Sequence, residues 1–479
     1  MSVEKLTIEA SVACGEVTNF PTELREQLRG LGVSPAWLAS ILAATGGYLA
    51  TQDEFRWLAW LFLVPMFAVK ENGRWRWTLF SLMLNGVLLV PYLLALGLET
   101  EDSRYALILY LLLVAITVLP YLLLDWVEAC RFWPKLAKMA RLSFLATSIT
   151  AIWLVSDHFL ATKYWYALAL DPAPLWVVRT FGEEGLALAM VCSSLMIAMA
   201  LRQSGLRCLF ALVACAGMLG YLFSGNPLIG ATRNWPALDI LAVQSYAGDG
   251  IVDETRRNLA GMSIARHAGW QVDLILLPEL TGFSLDGQNP ELAPYQAASR
   301  YYDTSILING SRPTSVKDMY ERSSGMVRAG TLADDFVAKR RLFPYYESRR
   351  GKSGTRWTAG PTNGLRLLPH DDGFIIPLLC FEVLDRGTLR RDHTATGVFL
   401  VTVAADTSRF RHPAVGRYLI HAAAFQSQLI RKPVLITNNA GPSGILFPDG
   451  TRVVAFRRGE AGVFRVAPDG SVSTLSLRL

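Results

Sequence analysis

The apolar residues of this 479-residue chain are shared out so unevenly that one water-soluble fold cannot serve all of it. Overall the chain is 52% hydrophobic, with a mean hydropathy of +0.29, above what soluble domains of this length usually carry. Residues 35–223 hold nearly all the long apolar runs, whereas residues 224–479 read as an ordinary globular domain with chain enough for one large core. The first 34 residues are polar, show no cleavable signal peptide, and are expected to form a cytoplasmic segment, with a short helix over Pro21–Leu31 closed by Gly30 and Gly32.

Seven hydrophobic segments predict a transmembrane domain over 35–223. Trp77–Leu98, Tyr105–Leu124, Gly182–Leu201 and Leu206–Phe223 each approach the ~20 residues needed to cross the hydrocarbon core. Leu142–Ala161 is interrupted by Asp157 and His158, and Pro35–Ala50 opens with Ser34 as N-cap and proline at the first helical position. Trp57–Val69 has only 13 residues, short for a span, and reads also as a short helix, a re-entrant segment or a helix extended by its neighbours. The connecting charges alternate: Lys70, Arg74 and Arg76 are followed by acidic Glu99, Glu101 and Asp102, then by Arg131, Lys135, Lys138 and Arg141, and later by Arg202 and Arg207. With basic loops inside, seven spans and a cytoplasmic N-terminus, residues 224–479 fall outside the cytoplasm. Ten of the thirteen tryptophans precede residue 224, many near segment ends, as an interfacial belt requires. A large buried all-helical soluble domain is the competing reading, and it has no need of alternating loop charge.

The formal charge of +6 is modest and its arginines are dispersed, so no nucleic-acid partner is expected. Cysteines 14, 130, 192, 208, 215 and 380 form no CxxC pair, and the histidines show no metal spacing. Neither a metal nor another cofactor is expected.

From Leu238 the pattern becomes short apolar strands alternating with helical stretches: Asp239–Gln244, Val272–Leu277, Thr304–Asn309, Gly325–Ala329, Phe374–Leu379, Val398–Val403 and Val434–Thr437, with an amphipathic helix over Asp253–Ala268. Pro448-Asp449-Gly450 and Pro468-Asp469-Gly470 are hairpin turns. This order predicts an α/β sandwich with mixed sheets.

Three residues follow strand-like runs in this half: Glu279 after Leu276-Leu277-Pro278, Lys339 before Arg340-Arg341-Leu342-Phe343-Pro344, and Cys380 before Phe381-Glu382. Taken singly each has a plainer reading. A cysteine ending a buried strand is most often a small core residue, Glu279 can be a strand-end cap, and Lys339 a solvated charge. Arg340-Arg341 and Arg349-Arg350 read as a solvated or headgroup-facing surface. Asp406 reads equally as a turn residue, and Glu347 as a partner of Arg349 or Arg350.

Together, in the order Glu, Lys, Cys, they resemble the nitrilase (carbon-nitrogen hydrolase) superfamily, and more narrowly its membrane-embedded branch, the apolipoprotein N-acyltransferases. The stretch Lys339–Glu347 is similar in spacing to that family's Lys-x-x-Leu-Val-Pro-Phe-Gly-Glu, Cys380-Phe381-Glu382 to its Cys-Tyr-Glu, and Asn439-Ala440-Gly441-Pro442-Ser443 to its Asn-Thr-Gly-x-Ser. The resemblance covers about residues 35–465 and implies a multi-span helical membrane domain followed by an αββα nitrilase-like sandwich. The sequence departs from the family at Ala405–Phe410 and at Gln426–Pro433, and it carries no apolar helix before Leu479 where the family has a last span. Divergent TraB-type conjugal transfer proteins are similar in this respect.

The resemblance implies a catalytic triad of Glu279, Lys339 and Cys380, supported by Glu347 and Glu382. Lys339 would favour the Cys380 thiolate and later stabilise an oxyanion, while Glu279 would serve as general base and proton shuttle. It also implies a phospholipid acyl donor, a lipoprotein or other amine acceptor, and membrane lipids as surroundings. The alternatives are a membrane-tethered amidase or nitrilase cleaving a small C–N bond, and a conjugation or envelope component on a nitrilase scaffold with changed or lost activity.

Overall fold

The computed structural model describes residues 34–50, 53–69, 75–90, 103–130, 133–160, 175–203, 205–223, 235–245, 251–279, 283–287, 289–342, 356–361, 365–384, 389, 392, 394–408 and 414–477. The chain divides into two compact units, residues 1–227 and 228–479.

The first unit is helical: α1 (Pro35–Leu49), α2 (Val64–Ala68), α3 (Arg76–Leu88), α4 (Ser103–Ala129), α5 (Lys138–Leu160), α6 (Leu175–Leu201) and α7 (Leu206–Phe223). By length and apolar composition, two described helical stretches suffice to cross a membrane, Ala106–Ala129 and Glu184–Leu201. Ala140–Val155 and Leu206–Gly220 are apolar but shorter. Trp57–Val69 is not one helix: a 3-10 stretch over Asp53–Trp60 gives way to the five residues of α2. Helix α6 is interrupted at Gly182, which takes a left-handed φ of 65°. Helix α4 leaves Ile108, Leu111, Leu112, Leu119, Leu123 and Trp126 exposed.

Two cations assigned to basic loops by the charge pattern are engaged inside this unit. Arg76 is buried and pairs with Glu128 at 2.6 Å. Arg202 donates to the carbonyls of Phe67, Ala68 and Val69, the last turn of α2, a common resting place for a cation because those carbonyls lack helical partners. At the other end of the same logic, Asp125 accepts from the backbone N–H groups of Trp77 at 3.1 Å and Thr78 at 2.8 Å. It thereby caps α3, whose own N-cap residue Trp75 lies in the left-handed region and offers no side-chain bond.

The second unit is built on two sheets. One has the strand order β14-β13-β1-β2-β3-β4-β5, with β6 paired to β4; the other has the order β12-β11-β10-β9-β8-β7. The strands are β1 (Ile240–Gln244), β2 (Leu274–Leu276), β3 (Ser305–Pro313), β4 (Met319–Arg328), β5 (Thr331–Ala338), β6 (Arg356–Thr358), β7 (Leu368–His370), β8 (Gly373–Leu379), β9 (Val398–Ala405), β10 (Val434–Asn438), β11 (Ser443–Leu446), β12 (Arg452–Phe456), β13 (Gly462–Val466) and β14 (Val472–Ser476). At the centre of each sheet the pairing is parallel: β1-β2-β3 in one, β8-β9-β10 in the other. Such strands are covered on both faces, hence the unbroken apolar runs Ile240–Val243 and Ile375–Leu379.

One core lies between the sheets and joins Leu276, Leu307 and Met326 to Ile375, Leu400 and Leu435. Another lies where α8 (Ile251–His267) and α9 (Ala293–Tyr302) cover the outer face of the first sheet through Met262, Ala265, Tyr295 and Ala298. Helix α10 (Ala414–Ile430) packs on β10 and β11. The unit is therefore a layered αββα sandwich, an α/β sandwich with mixed sheets as the strand and helix order predicts. Both Pro-Asp-Gly stretches are turns, between β11 and β12 and between β13 and β14, each closed by its aspartate: Asp449 accepts from Thr451 N at 2.7 Å and Asp469 from Ser471 N at 2.8 Å.

Candidate active site

Parallel strands leave their carboxyl ends on the same edge, and loops there collect polar residues. Glu279 follows β2, Cys380 follows β8, and Lys339 follows β5. All three are buried: Glu279 is 6% exposed, Lys339 1% and Cys380 6%. Lys339 is thus no solvated surface charge, and neither is Arg340, whose side chain is 7% exposed with Nη1 3.7 Å from Asp392 Oδ1. Both plainer expectations are corrected for the same reason: the chain leaves β5 inward, beneath other segments. Gly360 permits the covering. Its N–H donates to the Lys339 carbonyl at 2.7 Å, and a Cβ at that position would fall 2.5 Å from Ala338 Cβ.

Cys380 is where the chain turns off its strand. Strand β8 ends at Leu379, Cys380 takes φ 52°, and a 3-10 turn runs from Cys380 to Leu384. A left-handed φ at a residue with a side chain costs energy and is kept where surroundings over-determine it. A sharp strand-to-helix turn is also how hydrolases of another fold aim a nucleophile away from the sheet.

Glu382 ties that turn to the segment carrying Lys339. One carboxylate oxygen accepts the Arg340 backbone N–H at 2.8 Å and Arg366 Nη1 at 2.8 Å. The other accepts the Leu379 backbone N–H at 2.9 Å. The residue after Lys339 and the residue before Cys380 are therefore held by one side chain. Behind it, Arg366 Nε donates to Asp392 Oδ2 at 2.9 Å, and both side chains are essentially closed to solvent. Gln426, on α10, donates to the Val383 carbonyl at 3.0 Å and so braces the far end of the same turn.

Glu279 is fixed from two sides. Its carbonyl accepts from Asn439 Nδ2 at 2.9 Å, and the same amide donates to Glu254 Oε1 at 2.6 Å. The Leu277 carbonyl accepts from Asn309 Nδ2 at 2.9 Å and from Thr437 Oγ1 at 3.1 Å, joining β2 to β3 and to β10 across the sandwich. The Glu279 carboxylate lies 3.8 Å from Arg322 Nε. Arg322 in turn accepts the Lys339 backbone N–H through its carbonyl at 2.6 Å. Glu279 and Lys339 are thus neighbours through Arg322, and Lys339 and Cys380 are neighbours through Glu382.

The remaining sequence candidates separate. Glu347 lies outside the described residues, as do Arg349 and Arg350. Asp406 accepts from Ser408 N at 2.9 Å, an Asx turn after β9. His421 sits on α10 within 3.0 Å of Arg452 Nη1. Burial holds His370 below its ordinary value. Among the described residues no group of three or more His, Cys, Asp or Glu could hold a metal.

Sequence reasoning missed Arg322, Arg366, Asp392 and Glu254. Arg366 and Asp392 carried no signal beyond being charged, because their role depends on a loop and a strand end that only the fold brings together. Arg322 had one available signal, a charged residue inside a run later paired on both sides, opposite Ser311 on β3 and next to Ser323, which faces Ala338 on β5.

No family model and no curated protein matches this chain. Among solved structures, an amidase from Nesterenkonia sp. aligns at 15% identity over 52% of this chain and 92% of its own, with a TM-score of 0.36. A glutamine-dependent NAD+ synthetase from Acinetobacter baumannii aligns at 13% identity over 50% of this chain and 48% of its own, with a TM-score of 0.38. A carbon-nitrogen hydrolase from Helicobacter pylori aligns at 14% identity over 50% of this chain and 85% of its own, with a TM-score of 0.34. These likenesses concern about half of the chain, and at such scores they carry no functional weight.

Proposed function

We propose that the sandwich is a nitrilase-like acyl-transfer enzyme in which Cys380 is the nucleophile, Glu279 the general base and Lys339 the oxyanion-stabilising cation. The observation that carries the reading is the Glu382 bridge, which anchors the backbone beside Lys339 and the backbone beside Cys380 to one buried carboxylate. The left-handed turn at Cys380 supports it, since strain of that kind gathers at functional residues. In the reaction Glu279 takes the thiol proton as Sγ attacks an acyl carbonyl, and Lys339 meets the developing oxyanion. Collapse of the adduct expels an alcohol or amine, which takes the proton from Glu279 and leaves a thioester on Cys380. A second nucleophile, an amine or water, gives a proton to Glu279 as it attacks the thioester carbonyl, and the Cys380 thiolate expelled on collapse takes that proton back. Metal and cofactor play no part in this scheme.

The helical first unit supports a membrane setting and hence a lipid acyl donor with an amine acceptor, an N-acyltransferase with its sandwich on the periplasmic side. The exposed apolar face of α4 and the span-length stretches Ala106–Ala129 and Glu184–Leu201 are its support. A second reading, amidase action on a small C–N substrate, is favoured by the burial of all three triad side chains.

The test is intact-mass spectrometry of full-length protein incubated with phospholipid vesicles or with a short aliphatic amide. A fatty-acyl increment that maps to Cys380 and vanishes in Cys380→Ala supports the transferase. Consumption of the amide with no such increment supports the amidase. Unchanged turnover of either substrate by Cys380→Ala sinks both.

A further inference from the structure

Two donor nitrogens of Arg322, Nε and Nη1, are buried without a hydrogen-bond acceptor, where Arg366 leaves only Nη2 so. Nε keeps an ion-pair contact with Glu279 beyond hydrogen-bond distance, at 3.8 Å, and the side chain as a whole keeps 13% of its surface exposed. The guanidinium lies over the Trp357 ring, 4.3 Å from the centroid, a position set by the parallel pairing of β6 with β4. A cation over an aromatic face is held by the ring quadrupole without spending its N–H donors, which stay available to an acceptor.

A structural counter-ion for Glu279 would close to hydrogen-bond distance, as Arg366 does on Glu382 at 2.8 Å. Arg322 stands off at 3.8 Å instead. Leaving charged donors buried and unmet is costly, and the cost is tolerated where an acceptor arrives later. Glu279 as general base also needs its carboxylate for a proton and is ill suited to be consumed by a bidentate arginine pair.

We infer that Arg322 is a specificity-determining residue that receives an oxyanion carried by the substrate, a carboxylate or a phosphate near the scissile acyl group. The inference rests on Cys380 being the nucleophile. It makes the preferred donors anionic: N-acyl amino acids, acyl phosphates or carboxylic esters that carry a phosphate group, rather than neutral esters and amides. A planar guanidinium fits either oxyanion through two parallel N–H donors.

The test uses two thiol alkylators of nearly equal size, iodoacetate and iodoacetamide, on full-length protein, with alkylation at Cys380 followed by peptide mass spectrometry. The ratio of the iodoacetate rate to the iodoacetamide rate is measured in wild type, Arg322→Gln and Arg322→Lys. The expected result is a fall in that ratio of about tenfold in Arg322→Gln, the scale of one charge-assisted contact, with partial retention in Arg322→Lys. The iodoacetamide rate reports whether each variant is still folded at the site. A ratio unchanged in both variants, with Cys380 still reactive, overturns the inference and leaves the nucleophile assignment standing. A Cys380 inert to both reagents in wild type overturns the nucleophile assignment itself. Competition identifies the oxyanion: slowing of the iodoacetate reaction by inorganic phosphate and not by acetate marks a phosphate, and the reverse marks a carboxylate.

Discussion

Arg366 and Glu382 form an ion pair at 2.8 Å in which each side chain is only 2% exposed. Glu382 spends its remaining capacity on two backbone N–H groups, those of Arg340 and Leu379. The pair is therefore both a buried electrostatic unit and the clasp between two loops. Glu382→Gln turns one acceptor into a donor facing an N–H and removes one of the two buried carboxylates that hold Arg366, leaving Asp392. Breaking one side of a buried pair costs roughly 3–5 kcal/mol. A large drop in thermal midpoint of the full-length protein is expected, together with slower alkylation of Cys380 by iodoacetamide. Wild-type stability and reactivity in this variant would refute the clasp.

Cys380 itself stores strain, because its φ of 52° is one that glycine adopts freely and other residues do not. Left-handed backbone costs an L-residue roughly 1–2 kcal/mol. Both Cys380→Ala and Cys380→Gly lose the thiol, yet the glycine variant is expected to be the more stable by about 1 kcal/mol, offset in part by the greater unfolded-state entropy of glycine. Chemical denaturation of the two variants side by side decides it. An alanine variant equal to or more stable than the glycine variant removes strain from the account.

The positions of Glu279 and Cys380 at strand ends were legible because burial on both faces of a parallel sheet leaves unbroken apolar runs that a polar residue terminates, whereas Lys339 ends the antiparallel, partly exposed β5, which has no such run. The α/β sandwich with mixed sheets followed from the same alternation, and its αββα layering was an expectation of the resemblance. What escaped the sequence was of another kind. Lys339 and Arg340 sit in a charge-rich stretch that has every outward mark of a solvated face. Their burial depends on the approach of residues 356–361 and on Glu382, Arg366 and Asp392, which lie 16 or more residues apart in pairs that no local pattern links. The same holds for Arg76, counted as a loop cation until Glu128 took it into the helical unit. Long-range ion pairs leave no periodicity, so hydrophobic pattern reading is blind to them.

Asn439 is placed so that its amide serves two acceptors, Glu254 Oε1 at 2.6 Å and the Glu279 carbonyl at 2.9 Å, while its oxygen accepts from Ser245 Oγ at 2.8 Å. Asn439→Asp sets a second carboxylate against Glu254 inside the protein. Like charges at that distance cannot both ionise cheaply, so one proton is held to higher pH than an isolated carboxylate would hold it. The sign follows: the destabilisation is full at neutral pH and is relieved as pH falls through the raised folded-state value. Unfolding midpoints of Asn439→Asp and wild type should therefore converge from pH 7 toward pH 5. A constant gap across that range would show that lost geometry, not charge, is responsible.

His370 gives the opposite dependence in the wild-type protein. It sits on β7 against Phe399, with ring centroids 5.7 Å apart, and Nδ1 lies 3.5 Å from Asp372 Oδ2. Desolvation depresses its affinity for a proton, with Arg328 adding to the effect while Asp371, Asp372 and Asp273 oppose it. Folding therefore favours the neutral ring. Above the ordinary histidine value of about 6.5 the unfolded chain gains nothing from protonation. As pH falls through that value the unfolded state binds a proton that the folded state resists, and stability declines until the lower folded-state value is reached. His370→Asn, which cannot titrate, should flatten the part of the midpoint-versus-pH curve between pH 7 and pH 5 relative to wild type. If the two curves run parallel through that interval, His370 does not contribute to acid sensitivity, and the aspartates around it have outweighed burial.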